Sequence, residues 1–321
     1  MNRCLCITGA TGFIGQHLIK RLVQEHGGGI RALSRGKDAG SEWGDSQVVA
    51  VRADLLDKES LKNFVEPDSV VVNLAFLSGH TMEEHLLAAH AFSEACEHAG
   101  AKRLVHVSTA MVVGHTDALL IDERTPCRPI TAYERVKLAI EEALLARERR
   151  SYEVVILRPT AVFGPGGRNL VKLAREVATG NAASRYLRAS FQGRRSMHLV
   201  DVNVVIEAIR FLATTAAAID GESYIVADDD PPTNNYRDVE ANLLRAFGKG
   251  ARAISPVPVP AGLRQGVLSF LRRSGLPAHS RFKSQKLQTL GFRPPIDFDT
   301  ALSSYAGYLA TQFQRERAIR G

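Results

Sequence analysis

The chain carries four cysteines, a single tryptophan and no apolar stretch of membrane length in its 321 residues. Cys4, Cys6, Cys96 and Cys127 are too few and too scattered for a disulfide framework, and their spacing matches no zinc site. Cys4 and Cys6 share one face of an early strand, where a thiol serves as core filling. The longest apolar runs, such as 70–77, fall far short of the ~20 residues that a membrane helix needs. The N-terminus passes from Met1-Asn2-Arg3 straight into a strand-like segment without the sections of a signal peptide, so a cytoplasmic location is expected. A formal charge of +7 raises nucleic acid as a partner, yet the basic residues are spread thinly and form no nucleic-acid module, so none is expected. The excess reads as solvated surface and phosphate contacts. No internal repeat is visible either.

What is present is a hydrophobic fraction of 45%, enough for a sizeable core. Short β-branched runs at 4–8, 30–34, 48–52, 70–75, 104–108 and 154–158 alternate with helical patterns at 14–25, 60–65, 82–98 and 133–150. That order predicts an α/β fold: a Rossmann-type doubly wound parallel sheet, with a smaller, mainly helical C-terminal substrate lobe. The dinucleotide-binding part is expected over 1–165, with 196–230 rejoining it through a helix at 204–214 and a strand at 224–226. Residues 166–195 and 231–321 are expected to form the lobe, with a helix near 170–178, an arginine-rich loop ending at Val200 and a proline-rich connector at 256–260.

The segment Thr8-Gly9-Ala10-Thr11-Gly12-Phe13-Ile14-Gly15 lies between the first strand and the first helix, where a dinucleotide diphosphate rests on helix N-terminal amides. Its glycines suit a tight turn, close backbone approach and close helix packing. The second strand ends Leu33-Ser34-Arg35, with an arginine where an acidic residue would bind the ribose hydroxyl of NAD. A guanidinium pairs with a 2′-phosphate, so NADP is favoured and NAD remains open. Asp54 and Leu55 suit the adenine edge, while Leu74 and Ala75 would lie under the ribose.

Tyr133 and Lys137 stand four apart at the start of a helix and therefore share one face. A free phenol titrates near pH 10, and a nearby ammonium lowers that value, so Tyr133 could exchange a proton with a substrate oxygen while a hydride moves. Thr109, just beyond the fifth strand, can donate a hydrogen bond to the same oxygen. As an isolated pair, Tyr and Lys at this spacing are ordinarily a surface contact; the order behind a dinucleotide loop and a strand-end hydroxyl gives them weight.

With these motifs and Leu157-Arg158-Pro159-Thr160-Ala161-Val162-Phe163-Gly164-Pro165-Gly166, the chain resembles the extended short-chain dehydrogenases/reductases of the NAD-dependent epimerase/dehydratase family. The resemblance implies Thr109 as the catalytic hydroxyl and Tyr133 as acid/base. It implies Lys137 as ribose ligand and activator of Tyr133, with Pro159 beside the nicotinamide. Two positions depart from the family pattern. His85 stands where relatives often carry a structural asparagine, which either alters a water relay to the lysine or is a plain helix-face residue. Ala110 and Met111 follow Thr109 where sugar dehydratases place an Asp-Glu pair, so no carboxylates are present for dehydration and a 4,6-dehydratase is not expected.

By the same resemblance, Arg194 and Arg195, in a local cluster with Arg185 and Arg188, match the segment that holds the diphosphate of nucleotide sugars; Arg168 and Asn169 are further candidates. The leading expectation is a small-molecule substrate of the nucleoside diphosphate sugar class, undergoing C4 epimerisation or 4-keto reduction. Two alternatives stand beside it: NADPH-dependent reduction of a non-nucleotide carbonyl compound, and a dinucleotide-sensing module without catalysis. His198 and Asp201 read as loop anchors. The basic segment 262–273 reads as a lid over the cleft in preference to a membrane-surface helix, so membrane contact is not expected. A homodimer is left open.

Overall fold

The computed structural model describes residues 3–25, 29–36, 47–146, 150–250 and 275–320, so the connector at 256–260 and the basic segment at 262–273 lie outside the described residues. In chain order the first half runs β1 (Leu5–Thr8), α1 (Phe13–Gln24), β2 (Ile30–Ser34), β3 (Val48–Arg52), α2 (Lys58–Leu61), β4 (Val70–Asn73), α3 (Met82–Ala99) and β5 (Arg103–Val107). A 3-10 turn (Ala110–Val113), β6 (Leu120–Ile121), α4 (Ala132–Leu145), β7 (Glu153–Pro159) and β8 (Ala161–Phe163) follow. The remainder comprises α5 (Val171–Thr179), α6 (Ala182–Gln192), β9 (Leu199–Asp201), α7 (Val202–Thr214), β10 (Ser223–Val226), α8 (Tyr236–Ala246), β11 (Arg281–Phe282), α9 (Gln285–Thr289) and α10 (Phe298–Arg320).

Seven strands form one parallel sheet in the order β3-β2-β1-β4-β5-β7-β10. Both faces are covered, which is why these strands read as nearly continuous apolar runs. On one face α1 and α7 bury Leu18, Ile19, Val205 and Ile209 against Ile7, Val105 and Val155. On the other, α3 and α4 bury Phe92, Cys96, Ile140 and Leu144 against Cys6, Leu104 and Ile156, so Cys6 and Cys96 are core residues. A third cluster joins Phe163 of β8 to Leu173, Val177, Leu243, Leu302 and Tyr305 from α5, α8 and α10. Leu287 and Phe292, in and after α9, return to the α1/α7 face of the main sheet.

The chain order reverses at β1, whose neighbours are β2 and β4, and this switch point opens a crevice at the strands' carboxyl ends. Two local differences from the sequence expectation have physical causes. The fourth strand stops at Asn73 because Leu74 donates to the Thr8 carbonyl and Ala75 to the Thr8 hydroxyl, folding the chain over the glycine turn. The expected arginine-rich loop is helical over Ala182–Gln192: Ala, Leu, Arg and Gln dominate that stretch, and Gly193 at φ 54° ends it. Among the described residues, no helix is long and apolar enough to cross a membrane.

Arg103 fastens the sheet to α7. Its guanidinium pairs with Glu153 at 2.5 Å and donates to the carbonyls of Leu212, Thr215 and Ala217, satisfying the carboxyl end of that helix. Only 5% of the residue is exposed. Arg103→Ala is expected to destabilise the protein by about 3 kcal/mol or more, because it strands a partly buried carboxylate and several carbonyls. Urea unfolding at neutral pH measures this; a loss near zero would show that water replaces the guanidinium freely.

Candidate active site

The β1–α1 turn forms the floor of the crevice. Gly9 has φ 66°, and a Cβ there would lie 2.8 Å from the Leu74 carbonyl carbon. A Cβ on Gly15 would come within 2.2 Å of the Gly9 carbonyl oxygen. Both positions therefore require glycine, and the helix starts tight against the strand. α1 has no side-chain cap at Gly12, so its first amides are presented bare. Bare amides, the positive end of a helix dipole and a cleft of about 880 Å³ above them fit the diphosphate of a dinucleotide. Gly9, Thr11, Gly12, Phe13, Ile14, Gly15, Leu74 and Pro159 all line this cleft, as do Thr109, Tyr133 and Lys137.

α4 presents its two candidate residues through a capping box: Thr131 accepts from the Glu134 amide, and the Glu134 carboxylate accepts from the Thr131 amide. Tyr133 follows in the first turn with its ring edge on Phe76, centroids 5.0 Å apart, and is 46% exposed at the cleft. Lys137 points inward, 4% exposed, and donates to the Val107 carbonyl at 3.0 Å, with its amine 5.4 Å from the Phe76 ring centroid. Glu141, one turn on, engages Arg158 at 2.5 Å in a buried pair. Lys137 therefore feels that carboxylate only through space, and burial holds its amine down to about 8. The phenol of Tyr133 is pushed up by burial, not lowered by Lys137 as expected: the ammonium is directed to a backbone carbonyl, and removal of the ring from water is the larger effect.

Thr109 accepts from the Met111 amide at 3.2 Å, which directs its own O–H elsewhere, and the residue lines the cleft. Its neighbour Ser108 also lines the cleft, with a buried hydroxyl that has no partner among the described residues. Phe76, Ser78, Met111, Thr160, Ala161 and Val162 complete the wall. Sequence reasoning did not single out Phe76, Ser78 and Ser108; only Ser108 left a signal, as a second hydroxyl beside Thr109.

Not every candidate comes to the cleft. Ser34, Arg35 and Asp54 lie at the ends of β2 and β3, outside its lining: Ser34 accepts from the Gly36 amide, Asp54 from the Leu56 amide, and Arg35 is exposed. Leu55 and Ala75 line a smaller cavity beneath the floor, on the α3 side. Arg168 and Asn169 line the cleft, and Asn169 donates to the Val162 carbonyl at 2.7 Å. Arg194 and Arg195 do not line it; Arg194 is exposed and lies 3.7 Å from Asp238 of α8. The side chains of Arg185 and Arg188 are outside the described residues. His198 and Asp201 act as anchors: His198 pairs with Asp229 at 2.5 Å, and Asp201 caps α7. Among the described residues no cluster could hold a metal ion.

Residues 5–227 match the NAD dependent epimerase/dehydratase family. A 2-alkyl-3-oxoalkanoate reductase of Stenotrophomonas maltophilia is 27% identical over 309 residues, covering 89% of both chains. A ceramide reductase of Caulobacter vibrioides is 30% identical over 167 residues, 50% of this chain and 47% of that protein. The UDP-glucose 4-epimerase of Thermus thermophilus in complex with NAD superposes with a TM-score of 0.70 at 23% identity, over 96% of this chain and 98% of that one, a likeness of fold.

The buried amine has a thermodynamic signature. Unfolded, Lys137 titrates near 10.5; folded, it does so near 8. Below pH 8 the folded state carries the full penalty of a buried ammonium, and between 8 and 10.5 the unfolded state binds more protons, so that penalty is lost as pH rises. Lys137→Met, of similar length, is therefore expected to stabilise the protein without added dinucleotide at pH 7, by at most about 3 kcal/mol. The gain should fade towards pH 10.5 in denaturant unfolding. A constant difference across that range would mean that the amine is not buried as an ammonium.

Proposed function

The chain belongs to the NAD-dependent epimerase/dehydratase family, and we propose that it is an oxidoreductase interconverting a ketone and a secondary alcohol on a substrate with an apolar body. The observation that carries this reading is the convergence of Thr109, Tyr133 and Lys137 on one cleft above the bare amides of α1. A bound nicotinamide dinucleotide supplies or accepts the hydride. The chain's residues do the rest. The glycine turn and α1 hold the diphosphate, and Lys137 holds the adjoining ribose. Thr109 donates a hydrogen bond to the substrate oxygen and Tyr133 gives or takes its proton. Tyr133 is exposed enough to reach that oxygen, and the Lys137 ammonium, once its partner is a ribose, favours the phenolate.

The apolar substrate is supported by the wall of Phe76, Met111, Ala161 and Val162, and by Arg194 being engaged with Asp238 away from the cleft. The full-length similarity to an oxoalkanoate reductase favours the same class. A second reading, a nucleoside diphosphate sugar as substrate, draws support from Arg168: it lines the cleft together with Lys137, and among the described residues no carboxylate does. The fold likeness to a UDP-glucose 4-epimerase agrees with that reading without deciding it. Ala110 and Met111 speak against sugar dehydration in either case.

Arg35 supports NADP over NAD, because an exposed guanidinium at the end of β2 suits a 2′-phosphate. NADPH is expected to bind more tightly than NADH, with the difference reversed or erased in Arg35→Asp; equal affinities in the unaltered protein would sink this preference. The substrate class is tested by following nicotinamide absorbance with medium- and long-chain ketones and 3-oxo acids beside a panel of uridine and thymidine diphosphate sugars. Turnover of the sugars alone would establish the second reading.

Tyr133→Phe keeps the ring on Phe76 but removes the exchangeable proton. Folding and dinucleotide affinity should survive, while kcat should fall by about 10²–10⁴-fold, the usual worth of general acid/base assistance. Near-normal turnover of the variant would return Tyr133 to the role of a cleft-wall residue.

A further inference from the structure

Directly beneath the cleft floor, between the sheet and the α3/α4 layer, lies a cavity of about 20 Å³. Its lining is apolar except for Asn73, His85 and His106. A water needs about 10–15 Å³ and two or more polar partners, and this cavity offers both. His106 is the informative member. It is fully buried on β5, and neither ring nitrogen has a hydrogen-bond partner among the described residues. A buried imidazole with both nitrogens unmatched is costly, and native proteins resolve such cases with ordered water. The Asn73 oxygen already accepts from the Thr8 hydroxyl at 2.7 Å and from the Ala75 amide at 3.3 Å, so its NH₂ group is the end left to face the cavity. His85 enters from α3, its ring 4.6 Å from that of Phe76, whose other neighbours are Tyr133 and the Lys137 amine.

Lys137 does not line this cavity; the two are linked through the backbone of β5. Val107, whose carbonyl binds Lys137, is the next residue after His106 on β5. We propose that this cavity is a built water site, and that His106, through the water it holds, is a positioning residue for Lys137. It fixes the stretch of β5 whose next carbonyl accepts from the amine. The proposal rests on the reading that Lys137 serves the dinucleotide and Tyr133.

Electrostatics agree with a neutral, water-bound imidazole. Burial and the nearby Lys137 charge hold His106 well below the ordinary histidine range, and the same two causes lower His85. Other charged or titratable groups bearing on this region are Glu141 with its partner Arg158, and His80 and Glu84 at the start of α3. Glu141 is held by Arg158, and His80 and Glu84 lie towards solvent, so Asn73, the two imidazoles and their water are the polar groups left at the cavity.

Two measurements on the protein without substrate decide the matter. A high-resolution crystal structure should place one water within hydrogen-bond reach of a His106 ring nitrogen; a dry cavity overturns the proposal. Lysine-labelled NMR should find Lys137 titrating near pH 8. In His106→Leu, which fills the site with a dry side chain of similar size, the midpoint should move lower by roughly one unit or more, about tenfold less ammonium at neutral pH. His106→Asn, which keeps donors and acceptors, should restore it. An unmoved Lys137 midpoint in folded His106→Leu overturns the positioning role. If that variant does not fold, a dry cavity in the parent or a midpoint lowered as far by His106→Asn as predicted for Leu does so. Neither readout requires turnover. A parent protein that passes both tests but reduces no ketone would refute the proposed reaction alone.

Discussion

An uncompensated ammonium at the base of the cleft constrains the molecule around it. Lys137 is as buried as the surrounding core, yet its direct partner is a backbone carbonyl of β5. The carboxylate best placed to neutralise it, Glu141, is instead clamped by Arg158. Isolated buried charges are expensive and ordinarily paired. Here the sheet, Phe76 and the capped start of α4 hold the amine in place against that penalty. The capping box at Thr131 and Glu134 fixes where α4 begins, and with it the shared face of Tyr133 and Lys137. A slip of one residue would rotate both by about 100° and separate them from the cleft.

A second constraint lies on the other side of the crevice. The backbone of Leu74 and Ala75 runs so close to Gly9 that no side chain fits between them, and the Thr8 hydroxyl ties the two strands by donating to Asn73. This close approach brings the bare end of α1 to the same opening as the carboxyl ends of β4, β5 and β7. The bare amides of α1 and the side chains of Thr109, Tyr133 and Lys137 thus meet because the chain reverses its order at β1.

Local features made this architecture legible. The strands, the glycine turn and the positions of Thr109, Tyr133 and Lys137 follow from patterns within a few residues, where periodicity and turn chemistry act directly. What escaped reading depends on distance. Phe76 and Ser78 reach the cleft because the chain folds back over Gly9 after β4, whereas Leu55 and Ala75 line the cavity on the α3 side. Residues 182–192 read as a loop by their arginines, although their helix-forming composition prevails. The direction of the Tyr133 shift was misjudged because sequence spacing gives the separation of two side chains along a helix but not which one turns inward. His106 gave no sequence signal at all, since a histidine within an apolar strand reveals neither its cavity nor its unmatched nitrogens.

The reacting groups and the cleft wall come from different elements, and this division bears on specificity. Thr109 and Lys137 are pinned by hydrogen bonds to the backbone of the same region, between the 3-10 turn and β5, and Tyr133 is set by the cap of α4. The wall is supplied by the segment after β4, by Met111, and by β8 with the residues that follow it. Substitution in the wall can therefore change the lining of the cleft while the arrangement of Thr109, Tyr133 and Lys137 stays fixed. Fold likeness to sugar-nucleotide enzymes consequently says little about the substrate, whereas the apolar side chains in the cleft wall, and a lining that does not include Arg194, weigh directly on that question.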